Sequence, residues 1–250
     1  MNCRSFQPSL SVVATCLLLT FSASNHAAGS IGIMGALSES IYTDTDSDAQ
    51  ALPNISYEGE RFYFKLPEIG YHVIPESKMQ ALSVGLSYQS AGFDPDDSDN
   101  SDIRLLDERD DSVMAFAEYR FGLLNTQIAQ DISGEHDGYS VQLSIGLPLP
   151  SGNWVFIPSI SHQYTSSQMS QHLYGVSQAE SNRTSGRLSA YQTGSTSQNS
   201  IGLRSIYKAS QQTNLMLAIN HTVYSDSVFN SPIVDKRRKT SFLAGIIYNF

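Results

Sequence analysis

Cysteine is nearly missing from this chain of 250 residues: Cys3 and Cys16 are the two it has, and both lie in the N-terminal segment. Once that segment is removed, disulfides, thiolate metal sites and a cysteine nucleophile are excluded. Long apolar runs are missing too. After the N-terminus nothing reaches the roughly 18 consecutive apolar residues of a helical membrane span. Basic residues are scarce: 15 Lys and Arg stand against 24 Asp and Glu, a formal net charge of −9 that becomes −10 without Arg4. Such a surface repels phosphate, which excludes nucleic acid as a partner.

The N-terminus reads as a signal peptide over residues 1–28. Arg4 supplies the positive charge, Leu10 to Phe21 the apolar core, and Ser22 to Ala28 the small residues that suit cleavage after Ser24, Ala27 or Ala28. Residues 29–250 are then one exported domain. A retained anchor is disfavoured by the short core and the lack of a stop-transfer pattern. The stretch Val13-Ala14-Thr15-Cys16 is a poor lipidation signal, because Thr15 stands where a smaller residue is expected.

What is present in quantity is alternation. Leu82, Val84, Leu86 and Tyr88 point one way, and Ala81, Ser83, Gly85 and Ser87 the other. The stretch Tyr139 to Leu147 repeats the pattern. The last residues do so again, with Phe242, Ala244, Ile246, Tyr248 and Phe250 on one face. A period of two marks strands between two environments. A polar face of small hydroxylated residues suits a narrow lumen, and strands that average out in hydropathy are how a β-barrel crosses a membrane. A terminal Phe with an aromatic two residues earlier resembles the closing signature of bacterial outer-membrane barrels.

Twelve strands are expected, near 30–38, 51–57, 61–66, 69–74, 79–88, 111–120, 123–132, 138–148, 153–164, 197–207, 212–224 and 238–250; ten is the alternative. An even number leaves both termini on the periplasmic side. Short turns rich in Gly, Pro, Asn and Ser, such as Glu58-Gly59-Glu60 and Pro150-Ser151-Gly152-Asn153, alternate with long polar connections at 39–50, 89–110, 165–196 and 225–237. Aromatics gather near strand ends, as headgroup-level rings do: Tyr57, Phe62, Tyr71, Tyr119, Trp154, Tyr207, Tyr224 and Tyr248 among them.

Several stretches carry a family resemblance. They are Pro53-Asn54-Ile55-Ser56-Tyr57-Glu58-Gly59 with Arg61-Phe62-Tyr63-Phe64, Ala81 to Tyr88, Gly152-Asn153-Trp154 with Pro158, Tyr174-Gly175-Val176, Ser231-Pro232-Ile233-Val234, and Tyr248-Asn249-Phe250. Together they resemble the MipA/OmpV family of outer-membrane proteins, over nearly all of the exported chain. The resemblance implies a barrel that holds together a murein transglycosylase and a murein synthase. It implies no residue-level binding motif. The brief first strand and the acidic stretch at 89–110 depart from the family pattern and put loop function in question more than fold.

No catalytic, cofactor-binding or metal site is assigned, and no cofactor. An EF-hand read from Asp97, with Asp99 third and Glu108 twelfth, has Asp102 where the sharp turn needs Gly. The stretch is read as a solvated, flexible acidic loop, with divalent-cation bridging to lipopolysaccharide as the other option; the same holds for Asp44, Asp46 and Asp48. No histidine pair has metal-ligand spacing, and no Gly-x-Ser-x-Gly elbow appears. His162 and His221 read as interfacial. Glu118 and Arg120 share a face, with Arg204 a further candidate for the lumen; a gating network and a watery rim are both open. Tyr63, Met114, Phe116 and Met216 are expected inward, narrowing the pore. The leading expectation is a scaffold and not an enzyme. A narrow solute channel and a surface adhesin are the alternatives.

Overall fold

The computed structural model describes residues 28–77 and 79–250. The signal peptide expected over 1–28 lies, apart from Ala28, outside them. The strands are β1 (Ala28–Ser38), β2 (Asp48–Glu58), β3 (Phe62–Lys65), β4 (Glu68–Ile74), β5 (Gln80–Gln89), β6 (Ser112–Phe121), β7 (Leu124–Asp131), β8 (Tyr139–Gly146), β9 (Leu149–Ser151), β10 (Trp154–Thr165), β11 (Thr196–Lys208), β12 (Thr213–Tyr224) and β13 (Arg238–Asn249). Each pairs antiparallel with its neighbour. Both β8 and β9 pair with β10, so they form one interrupted stave. The pairing of β13 with β1 and of β10 with β11 closes the sheet into a barrel of twelve staves, as the alternation implies.

Closure joins the chain's two ends. The Gly29 N–H donates to the Phe250 carbonyl at 3.1 Å, and the Phe250 N–H donates back to Gly29 at 2.9 Å. Register then decides which side chains meet which solvent. On β1, Ile31, Ile33 and Leu37 stand outward and exposed, paired with Tyr248, Ile246 and Phe242 of β13. Gly35 shares that outward face, and the even-numbered residues between them face the lumen. Exposed rows of this kind would be costly in water and are favourable against lipid tails. The aromatics split into two belts. At the end bearing the termini, Trp154 packs on Tyr207 at 4.9 Å and Phe62 on Tyr71 at 4.9 Å; at the opposite end Tyr139 meets Tyr164 at 6.1 Å. Tyr224 corrects the belt assignment: by register it faces inward, and it packs against the loop core described below.

The lumen is partly filled. Tyr63, Met114 and Phe116 are buried inside with Ala129. Glycine makes this possible at two places. A Cβ on Gly70 would lie 2.4 Å from the Tyr63 ring, and one on Gly85 would lie 2.2 Å from the Ile69 carbonyl and 2.7 Å from Phe116. Met216 also faces inward, opposite Gly245, and is half-buried.

One stretch of wall is low. Strands β3 and β4 form a hairpin far shorter than β2, and β3 pairs only with Ser56, Tyr57 and Glu58. Beyond a bond from the Leu66 N–H to the Ile55 carbonyl at 3.2 Å, no strand among the described residues pairs with the outer half of β2 on that side. Pro53 stands in this half, as proline does on a strand edge.

Candidate functional site: the capped mouth, the lumen and the turn rim

The four long connections do not hang loose over the barrel. They bring Ile41, Tyr42, Phe93, Ile103, Leu106, Tyr174, Val176, Val228, Ile233 and Val234 into one buried cluster, a second core across the mouth. Helix α1 (Ser167–Tyr174) is capped by Ser166, whose side chain accepts from the Met169 N–H. Helix α2 (Gln178–Arg183) opens with a capping box: the Glu180 N–H donates to Ser177 Oγ at 3.1 Å, and the Ser177 N–H to Glu180 Oε2 at 2.7 Å. A third short helix, α3 (Asp226–Phe229), carries buried Val228.

Hydrogen bonds tie the loops to one another. Thr43 donates its N–H to the Ile233 carbonyl at 3.0 Å, and Ser231 Oγ donates to the Tyr174 carbonyl at 2.6 Å. Three ion pairs fasten the acidic stretch to the β10–β11 connection: Arg187 with Asp102 at 2.6 Å, Arg183 with Asp107 at 2.7 Å, and Arg109 with Glu180 at 2.8 Å. The last is buried on both sides, with side chains 10% and 3% exposed. Burial would push the Glu180 carboxyl up, but the Arg109 guanidinium and the Ser177 N–H hold it below the usual range. Asp102 and Asp107 are also held low, each chiefly by its arginine. Burial pushes the Tyr42 and Tyr174 hydroxyls well above their ordinary value.

This corrects the reading of the acidic stretch from Asp94 to Asp102 as a solvated, flexible loop: Pro95 and Ser98 within it are buried, and Ser98 Oγ donates to the Thr43 carbonyl at 2.8 Å. Ile103 is fully buried and Phe93 and Leu106 nearly so. The acids are solvated on one side only. Three apolar residues spaced among carboxylates were the available signal. Among the described residues no group of three or more His, Cys, Asp or Glu is arranged to hold a metal, and Asp99 and Asp102 are turned toward Arg104 and Arg187.

Below the cap, the lumen holds a polar cluster that sequence reasoning missed. His72 on β4 bonds Ser83 Oγ on β5 through Nδ1 at 2.8 Å and Glu58 Oε1 through Nε2 at 2.6 Å, with the Tyr63 ring stacked on it at 4.7 Å. Only the strand register brings these three together. The residue types match a hydrolytic triad, but the setting does not. Ser83 is buried in mid-strand with β4 and β6 paired on either side, so its hydroxyl faces no open cleft in which an acyl group could be attacked. Glu118 and Arg120 both face inward and do not pair with each other. Arg120 bonds Glu76 and the Ser77 carbonyl, both at 2.9 Å, at the turn rim, while Gln127 approaches Glu118 at 3.5 Å. Arg204 faces the lumen from β11, away from them. His162 and His221 point outward, bonded to Asn199 at 2.9 Å and Thr240 at 3.2 Å.

Comparison with known proteins gives these parts a lineage. The family model described as MltA-interacting protein MipA matches residues 31–250. The chain belongs to the MipA family. It is 30% identical over 247 residues to the MltA-interacting protein of Escherichia coli K12, covering 94% of this chain and 96% of that one. It is 27% identical over 225 residues to YiaT, named as an outer membrane protein of the same organism, covering 88% and 90%. Among solved structures it is similar to the NanC porin, with a TM-score of 0.43 at 9% identity over 87% of this chain and 98% of that one. An outer-membrane channel from Pseudomonas putida F1 has a TM-score of 0.41 at 8% identity over 90% and 95%. This MipA-family barrel resides in the bacterial outer membrane, and its short-turn end is the periplasmic one.

Proposed function

We propose that this MipA-family barrel is a non-enzymatic scaffold. Its periplasmic turns hold a murein transglycosylase, and through it a murein synthase, against the inner face of the outer membrane. The observation that carries this reading is the packed cap: a barrel whose outer mouth is occupied by its own second core leaves the turn rim as the face open to large partners. Side-chain bonds brace the rim. Arg61 Nη1 donates to the His72 and Val73 carbonyls at 3.2 and 3.1 Å, and Arg120 clamps the β4–β5 turn. The name of the 30%-identical relative supports the partner class. A conducting channel is disfavoured by the same cap. On the outer side, the exposed carboxylates of Asp44 and Asp96 would meet lipopolysaccharide phosphates through divalent cations. The test is pulldown of the tagged barrel from detergent extracts of its own cells. Retention of a murein hydrolase is expected, and its loss when the turns 59–61 and 75–77 are exchanged for unrelated turns of equal length. A folded barrel that never retains one would overturn the scaffold role.

A further inference from the structure

The low stretch of wall opens sideways into the barrel. On β2 the Ile55 carbonyl faces the β3 side, since it accepts from Leu66. In a regular antiparallel strand every second residue then faces the same way, so the backbone groups of Ala49, Ala51 and Pro53 face a gap. The edge without a strand partner among the described residues, Asp48 to Asn54, runs roughly 20 Å. Its other jamb is Ser90 to Asp94, just past β5. Above it the β5–β6 loop crosses to the β1–β2 loop as a lintel: Ser98 pairs with Thr45, and the Asp99 N–H donates to the Asp44 carbonyl at 2.8 Å.

The gap lies at lipid depth. Ala49 and Ala51 are paired with Leu37 and Gly35, which belong to the outward apolar surface with Phe242 and Leu217. Open backbone at that depth is tolerated only where it lines a hydrated cavity or is covered by protein. A cavity of about 820 Å³ stands directly inside, bounded by both jambs and roofed by Tyr42, Phe93 and Tyr174 of the cap. Seven carboxylates line it against two cations, Arg109 and Lys239. Asp97 feels Asp94 and Asp48, the latter from the opposite jamb. Arg109, one-tenth exposed, has no hydrogen-bond partner for its Nε among the described residues.

We propose that this gap is a lateral portal through which cationic amphiphiles in the outer leaflet place their heads in the capped cavity. The lip is small (Ala49, Ala51, Pro53), so water from the cavity reaches it through the gap and a tail can cross it into lipid. Inside, carboxylates and aromatic rings suit an ammonium, and Arg109, which lines the cavity, suits an acceptor oxygen beside it. Acylcholines have this chemistry.

The test uses single cysteines in a Cys3→Ser, Cys16→Ser background, with the full barrel reconstituted in phosphatidylcholine vesicles and each variant checked for a heat-modifiable band. Ala49→Cys and Ala51→Cys are expected to react with water-soluble methanethiosulfonates. Leu37→Cys, on the same outward face but paired on both sides, is expected to resist. Equal resistance at all three positions would mean a closed wall and overturn the portal. The cationic reagent should react roughly tenfold faster than the anionic one, an advantage lost in D46N/D48N/D94N. Lauroylcholine should protect Ala51→Cys at concentrations where dodecyl sulfate and choline do not. Equal protection by dodecyl sulfate would overturn the cationic class, and equal protection by choline the amphiphile. If Ala51→Cys fails to fold, Ala49→Cys carries the same comparisons.

Discussion

The cap's stability should depend most on Glu180. Its carboxylate accepts from Arg109 Nη1 at 2.8 Å, the Asp107 N–H at 3.2 Å and the Ser177 N–H at 2.7 Å. Glu180→Ala would leave the Arg109 guanidinium buried without its counter-charge and strip two backbone donors of their acceptor. Breaking one side of a buried pair costs about 3–5 kcal/mol. Since about 1.4 kcal/mol is a factor of ten in an equilibrium, the open population of the cap should rise by roughly two to three and a half powers of ten. The Arg183–Asp107 pair is the control, its side chains 43% and 61% exposed. Asp107→Asn should cost less than about 1 kcal/mol. The assay is hydrogen exchange at cap amides such as Val176 and Thr43, in protein whose barrel band is still heat-modifiable. If Glu180→Ala exchanges no faster than Asp107→Asn, the cap is not held by that pair and the reasoning fails.

Acid should open the cap in a defined window. Glu180, Asp102 and Asp107 have folded pKa values below their ordinary ones, so their stabilisation is present above about pH 4 and is lost as pH falls through the lower folded values. Burial lowers His136 likewise, so a smaller loss begins below about pH 6.5. Limited proteolysis of the loops against pH should therefore show a shallow slope and then a steep one; a steep transition near neutrality would contradict this. Gly85→Val should block assembly, read as loss of the heat-modifiable band, because the Ile69 carbonyl stands 2.2 Å from the added Cβ. Gly35→Ala should assemble normally, its nearest neighbour lying 4.0 Å away. Deleting Phe250 should slow assembly, since it removes both backbone bonds that join the last residue to Gly29.

Strands were legible in the sequence because each sees two solvents, and a period of two records that directly. Their number and order follow from the alternating connector lengths, and the inward placement of Tyr63, Met114, Phe116 and Met216 from parity alone. The cap was not legible. Its cluster draws Ile41 and Tyr42, Phe93, Tyr174 and Ile233 from four segments far apart in the chain, and none of these segments repeats a period. The acidic stretch misled because charge is conspicuous in a sequence, while the three apolar residues that anchor it are few. The contact of His72 with Ser83 and Glu58 needs the register of three strands at once, which no local pattern supplies.

The cap and the gap are two consequences of one design. A twelve-stave barrel with large lumenal side chains and a roofed mouth has little axial passage left, so exchange with its interior must go through the wall. A wall can be breached only where two staves are short, because every full-length strand buries its backbone groups against both neighbours. Strands β3 and β4 are the short pair, and the gap beside them leads to the cavity of about 820 Å³ beneath the cap. The lintel bonds between Thr45 and Ser98 belong to the loops that build the cap. A change that loosens the cap should therefore widen the portal as well. Glu180→Ala should speed labelling of Ala51→Cys while leaving Leu37→Cys unchanged, and a cap that opens with no effect at Ala51 would show that roof and lintel are mechanically separate.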